Sequence, residues 1–332
     1  MEKGNYSAAI RWMDKAIKRN PKQAELYYNR GVIRRMTGEF ELALADFDET
    51  IKLRPDIGRA YLNKGMSHHE MKDYSEAIAA YNDAADRIGT VADVYALRGK
   101  AQVETGRYAE SAISYQQALA INSNNNTWRL SRAFALRKTG AYAAARGEVD
   151  KVIQQDSSMG EAWLIRGRTQ LEQGLPYEAL MDAKHAEKAG GSANEVRILK
   201  GDVHLAMGHV STAASLYEGA IATNPDDAEG FYRRGRLNIY QNKDRQAYRD
   251  LLQAAKLDSG VAHYHVALGE VLVKMDDWEG AMKHYDKANE LSPDSRTVFR
   301  HRGLLRTRMA DFDGALVDLD LLVNSRPNDT SA

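Results

Sequence analysis

Hydrophobic and polar positions along this chain recur in pairs of helix-length blocks. Between Ala24 and Met36, the residues Leu26, Tyr27, Ile33 and Met36 fall on one face of a 3.6-residue period, and Gly38 follows as a helix terminator. A second block carries Phe40, Ala43, Leu44, Phe47 and Ile51 at helical spacing and is closed by Pro55. Each block predicts a helix of about 12–14 residues, roughly 20 Å long. One such pair cannot cover its own apolar face, so further pairs must stack on it.

The pair recurs with a period of 34 residues. Pro21 and Pro55 are one period apart, as are Pro293 and Pro327, and Pro225 lies two periods before Pro293. Full units begin at Ala24, Gly58, Ala92, Asn126, Gly160, Asn194, Ala228, Ala262 and Arg296, with no residue inserted or deleted. Position 8 of the unit is Gly31, Gly65, Gly99, Ala133, Gly167, Gly201, Gly235, Gly269 and Gly303, and position 20 is Ala except at Ser111. A glycine inside a helix costs about 1 kcal/mol relative to alanine. Its recurrence, opposite a second small residue, predicts that the two helices of each unit cross at close range.

The run from Ala24-Glu-Leu-Tyr-Tyr-Asn-Arg-Gly through Gly38-Glu-Phe to Ala43-Leu-Ala-Asp-Phe and Pro55 resembles a tetratricopeptide repeat, and the resemblance covers nearly the whole chain. It implies an all-α, right-handed superhelical solenoid of antiparallel helix pairs. The expected layout is a single solenoid over 1–329, with a half repeat at 1–23, nine full repeats, and a tail at 330–332. Some units depart from the pattern. The fourth has Arg129 at an aromatic site and Ala133 for Gly; the sixth has Arg197 at the aromatic site; the seventh has Asn242 and Asp244 at the inter-helix turn.

Composition narrows the function. Apolar residues make up 43% of the 332, enough for a core, and Lys+Arg and Asp+Glu are both 46. Zero net charge argues against nucleic acid as the partner. The chain has no cysteine, which excludes a disulfide framework, a thiolate zinc site and a thiol nucleophile. No apolar run approaches the roughly 18 residues of a membrane span, and the start, Met1-Glu-Lys-Gly-Asn-Tyr, lacks a signal-like stretch. The expectation is therefore a cytoplasmic protein with no membrane partner and no cofactor.

The most regular charged feature is position 7: Arg30, Lys64, Arg98, Arg132, Arg166, Lys200, Arg234, Leu268 and Arg302. Position 23 is acidic opposite Arg30 (Asp46), Arg132 (Glu148), Arg166 (Asp182), Arg234 (Asp250) and Arg302 (Asp318). It is Ala80, Leu216 or His284 opposite Lys64, Lys200 or Leu268, and only Arg98, opposite Ser114, breaks the rule. That covariation favours an ion pair inside each repeat over a basic surface for an acidic polymer. Neither His68/His69 nor His263/His265 has the three- or four-residue spacing that puts two ligands on one helix face, so no metal site is expected. No nucleophile elbow, phosphate loop or metalloprotease motif is present, and an enzyme is not expected. The basic helix beginning Asn126-Thr-Trp-Arg reads as a solvated face.

The resemblance implies that the first helices line a concave groove where a peptide or protein partner binds. On this chain those positions offer Tyr28, Asn29, Arg35, Asn63 and His69, then Arg168, Arg233, Arg236, Tyr240 and Lys274. Asn29 and Asn63 share position 6, as in the asparagine ladders of family members that grip a peptide backbone, but Leu97, Ser131 and Ile165 follow. The Lys, Asn and Arg set used by chaperone-binding members for a C-terminal carboxylate is absent from any three successive units. The expected function is a non-catalytic interaction scaffold for a polar, extended peptide. The alternatives are an arm of a larger enzyme or secretion assembly, or an engineered array. Tyr6, Ala9, Ile10, Met13 and Ile17 at one end, and Leu316, Leu319, Leu322 and Val323 at the other, form apolar faces without a polar cap. They suggest a segment of a longer protein or self-association through the ends.

Overall fold

A computed structural model describes residues 3–324 apart from 90 and 294, with the side chains described from residue 6. The tail at 330–332 and Pro327 therefore lie outside the described residues. The chain divides into two compact units, residues 1–136 and 137–332, and each is considered by itself. All regular structure among the described residues is helical. The first unit holds α1 (Lys3–Arg19), α2 (Ala24–Met36), α3 (Phe40–Leu53), α4 (Gly58–Glu70), α5 (Tyr74–Ile88), α6 (Ala92–Glu104) and α7 (Tyr108–Ile121). Helix α8 (Asn126–Lys138) contributes most of its residues to this unit and its last two to the next. The second unit continues with α9 (Tyr142–Gln155), α10 (Gly160–Glu172), α11 (Pro176–Lys188), α12 (Ala193–Ala206) and α13 (Val210–Thr223). It ends with α14 (Ala228–Tyr240), α15 (Asp244–Leu257), α16 (Ala262–Lys274), α17 (Trp278–Leu291), α18 (Arg296–Arg308) and α19 (Phe312–Asn324). First helices start where the repeat numbering puts them, except α12, which begins one residue early behind its Ser192 cap. None of these helices is long and apolar enough to cross a membrane.

Every turn between the paired helices uses one backbone device. Unit position 15 has positive φ throughout: Gly38, Gly106, Gly140, Gly174 and Gly208, but also Lys72, Asn242, Asp276 and Ala310. The next residue's N–H donates to the carbonyl five residues back, as from Glu39 to Arg34 (2.9 Å) and from Asp277 to Leu272 (3.0 Å). This left-handed cap satisfies the last carbonyls of each first helix and reverses the chain. Asn242 thus adopts the conformation that glycine supplies elsewhere, so the seventh repeat keeps its turn.

Packing within a pair is set at position 8. A Cβ on Gly31 would lie 2.7 Å from the Phe47 ring, on Gly65 2.7 Å from Tyr81, and on Gly201 2.4 Å from Tyr217. The sequence predicts close approach to the small residue at position 20, and the carbonyls of Ala77 and Ala179 do lie 3.3 Å from where a Cβ on Gly65 or Gly167 would be. The tightest neighbour of Gly31, Gly65, Gly99, Gly201, Gly235 and Gly269, however, is the large side chain at position 24. Where position 24 is Ala183, Leu199 of the next first helix fills the space above Gly167, at 2.9 Å. Alanines at position 20 (Ala43, Ala77, Ala179, Ala213, Ala247 and Ala281) are fully buried beneath these contacts.

Position 7 ties helices together. Arg166 donates from Nε and Nη2 to the two Asp182 oxygens, both at 2.8 Å. Arg30–Asp46 (3.0 and 2.5 Å), Arg234–Asp250 (2.9 and 2.7 Å) and Arg302–Asp318 (3.0 and 2.6 Å) repeat this fork. Arg98 uses Ser114 instead, at 2.9 Å. The structure adds a second contact that the sequence reading did not anticipate. The same residue reaches back to position 25 of the preceding repeat: Arg30 to Asp14 (2.5 Å), Lys64 to Asp48 (2.6 Å), Arg166 to Asp150 (2.7 Å) and Arg302 to Asp286 (3.0 Å). One guanidinium thereby joins three successive helices.

The tie has an asymmetry that can be measured. Asp182 is 2% exposed, and Arg166 is the only donor within ordinary hydrogen-bond distance of its carboxylate among the described residues, whereas Arg166 keeps Asp150 if Asp182 is lost. Arg166→Ala is expected to cost about 3 kcal/mol or more, because it strands a buried carboxylate. Asp182→Ala should cost less, and the coupling energy should be about 1–2 kcal/mol. Urea unfolding of the two single variants and the double variant checks this; zero coupling would return position 7 to the list of binding surfaces.

Candidate interaction surface

The residues proposed for partner contact sit on the first helices, and the structure brings them together in two separate sets. In the first unit, Asn63 is buried and its amide is already engaged. Its Oδ1 accepts from Arg35 Nε (3.2 Å), and its Nδ2 lies 2.9 Å from the Arg59 carbonyl and 3.3 Å from the Tyr28 hydroxyl. Three candidate residues, Tyr28, Arg35 and Asn63, therefore brace two successive first helices. Asn29, at the same repeat position as Asn63, is exposed. His69 packs edge-on to Tyr74 with ring centroids 5.3 Å apart. Burial, reinforced by the Lys100 charge, lowers its pKa.

In the second unit the same kind of bracing is ionic. Position 9 alternates in sign along four repeats: Arg168, Asp202, Arg236, Glu270. Arg168 meets Glu195 at 3.5 Å, Asp202 meets Arg233 at 3.6 Å, and Arg236 pairs with Glu270, which also receives His301 at 3.3 Å. Each pair spans neighbouring first helices, one repeat apart. Lys274 donates to the Ile239 carbonyl (3.2 Å) and to Asn242 (3.1 Å), again one repeat back. Tyr240 stands 71% exposed at the end of α14.

Arg233 is the centre of the set. Its Nε donates to Glu229 at 2.7 Å, and its guanidinium lies over the Tyr232 ring. Burial opposes its charge, but Asp202 and Glu229 outweigh that and raise its pKa. Burial likewise pushes Asp202 upward, against Arg233 and the Tyr217 hydroxyl that donates to it at 2.7 Å. For Glu229, burial is overcome by Arg233 and His263, and the carboxyl sits below its ordinary value. Water reaches Arg233, whose side chain is 38% exposed, yet the low-dielectric surroundings make these charges strongly interdependent.

Four neighbours complete the set and were not among the sequence candidates: Glu229, Tyr232, His263 and Tyr264. Tyr264 donates to Glu229 at 3.2 Å, and His263 lies edge-on to Tyr232 and Tyr264, at 4.8 and 4.7 Å between centroids. Burial lowers the His263 pKa to about 4; Glu229 opposes the shift and Arg233 and Lys138 add to it. Glu229 and His263 both occupy position 2 of their repeats, at the start of first helices, and that shared position was the available signal. No group of three or more metal-ligating side chains occurs among the described residues. Chemically, the set offers paired acids and bases in balance, able to exchange internal partners for those of a polar ligand.

A family model described as tetratricopeptide repeat matches residues 1–55, 37–93, 96–160 and 198–244, and a second of the same description matches 262–295. DnaJ homolog subfamily C member 7 of Homo sapiens is 24% identical over 195 residues, covering 54% of this chain and 39% of that protein. Mitochondrial import receptor subunit TOM70 of Homo sapiens is 22% identical over 193 residues, covering 53% and 32%. The chain thus spans well under half the length of these curated relatives. Among solved structures, a tetratricopeptide repeat protein from Parabacteroides merdae superimposes with a TM-score of 0.59 at 17% identity, over 75% of this chain and 98% of that one. With matches covering more than half of the sequence and the helix pairs in place, the chain belongs to the tetratricopeptide-repeat family.

Proposed function

We propose that this chain is a non-catalytic interaction scaffold that holds a polar stretch of a protein partner along the open faces of its first helices. One observation carries the reading. Arg168, Asp202, Arg236 and Glu270 alternate in sign at one repeat position and pair across repeats, yet their side chains remain partly open to water. Such pairs hold a surface in shape and present both signs of charge to a partner's own polar groups. Equal numbers of acids and bases favour a polypeptide over an acidic polymer. In the first unit, exposed Asn29 is the candidate for main-chain contact, while Tyr28, Arg35 and His69 shape the wall around it. That relatives include an import receptor subunit and DnaJ homologues supports a protein partner. The short span of those relatives covered supports a role as one arm of a larger protein.

Replacing Arg233 and Arg236 together with Ala should weaken binding of a partner captured by cross-linking about 10-fold or more, because arginines are common interface anchors. Helicity by circular dichroism should be unchanged. Unaltered affinity would contradict the assignment.

Self-association is a second reading, favoured by α19. Leu316, Val317 and Val323 on that helix are 60%, 57% and 79% exposed, and Phe312 is 65% exposed. An apolar surface of this extent marks a contact. Light scattering across a concentration series should show a mass increase that Leu316→Lys and Val323→Lys abolish; a constant monomer mass would sink this reading.

A further inference from the structure

The eighth full repeat lacks the Arg–acid fork found in its neighbours. Position 7 is Leu268, buried and apolar, and position 23 is His284. In place of the fork, His284 on α17 meets His265 on α16. Their Nδ1 atoms are 3.1 Å apart and the rings are stacked, with centroids 5.4 Å apart and planes at 25°. His265 is only 7% exposed, and its Nε2 lies 3.4 Å from the Ser259 carbonyl in the turn before α16. A carbonyl can only accept, so His265 carries its proton on Nε2 and presents a bare Nδ1. His284 must then donate from its own Nδ1. The tautomers follow from the network.

We propose that the His265–His284 pair is an acid-labile joint: it holds α16 against α17 at neutral pH and opens when both rings are protonated, shifting the surface that α16 carries. An N–H···N bond needs at least one bare nitrogen. A first proton goes onto Nε2 of His284, whose Nδ1–H keeps donating to His265; a second, on Nδ1 of His265, leaves two N–H groups and two positive charges facing each other at bonding distance. The charged groups facing the pair are Lys287 on α17 and Asp277 at the start of α17, and they oppose one another. Neither α15 nor α18 sets a charge against the rings, among the described residues. Burial lowers the pKa of both histidines, and His265 further lowers that of His284.

The direction of the pH effect follows. The fold favours the neutral rings, so the joint's contribution is complete above the ordinary histidine value of about 6.5 and declines as pH falls below it. Arg–carboxylate forks in the other repeats keep both charges down to about pH 4. Acid between these limits therefore spares the forks and acts on repeats that bury neutral histidines, the eighth above all because it holds His263 as well as this pair. Helix α16 also carries His263, Glu270 and Lys274 of the candidate surface, so opening would weaken partner binding; that last consequence alone rests on the proposed function.

Hydrogen exchange on the full chain, corrected for intrinsic rates, tests the joint without any partner. Between near-neutral conditions and about pH 5, α16 and α17 should lose protection about 10-fold or more, while α10 and α11, joined by Arg166–Asp182, change less than about twofold. The variant L268R/H284D, which installs the fork of the neighbouring repeats, should keep α16–α17 protected in acid. Equal protection at both pH values, or a uniform loss along the chain, would overturn the proposal. Should that variant fail to fold, histidine ring NMR on the native chain decides: both rings titrating independently near 6.5 would also overturn it.

Discussion

The structure depends on the crossing at position 8, where a side chain from the second helix lies on a glycine of the first. Because Gly31, Gly65, Gly201 and Gly269 have no Cβ, Phe47, Tyr81, Tyr217 and Tyr285 can occupy that space. The pair then closes tightly enough for Ala at position 20 to be buried and for Arg at position 7 to fork onto the acid at position 23. The distance between paired helices, fixed here, sets where the guanidinium falls and hence whether it can also reach the preceding repeat. Apolar packing supplies the gross stabilisation, and the Arg ties fix the register between repeats.

What was legible followed from this arithmetic. The Gly, the small residue, the turn glycine and the Arg–acid covariation are each dictated by a local geometric need that recurs, so a fixed period exposes them. Arg30 with Asp46 and Arg166 with Asp182 could be paired from sequence because both members vary together. The backward contacts to Asp14, Asp48, Asp150 and Asp286 are not legible from that covariation, because they join position 7 to an acid of the preceding repeat. Non-glycine residues at positive φ, such as Lys72 and Ala310, show that the turn is imposed by packing of the pair even where the residue disfavours it.

The candidate surface was only partly legible. Faces of the first helices are predictable from period and family resemblance, but the pairing of Arg236 with Glu270, or the engagement of Asn63 by Tyr28 and Arg35, joins residues from different repeats through long, flexible side chains. The His265–His284 contact is illegible for the same reason: metal-ligand spacing is a property of one helix face, and the two rings come from facing helices. The picture that results is a braced surface on which Arg35, Asn63, Arg236 and Glu270 already have partners within the chain.

The most direct test of the account is the stability of two alanine variants. On α12, Gly201→Ala would set a Cβ 2.4 Å from the Tyr217 ring, which is 1% exposed and held by its hydroxyl on Asp202, so it cannot swing aside. On α9, Gly147→Ala meets nothing within 4 Å. Helix propensity favours both changes by about 1 kcal/mol, while overpacking should cost the first about 1–3 kcal/mol. Denaturant unfolding is expected to show Gly201→Ala less stable than the parent and Gly147→Ala equal or more stable. Gly201→Ala matching or exceeding the parent would contradict the claim that the glycine crossing governs the fold.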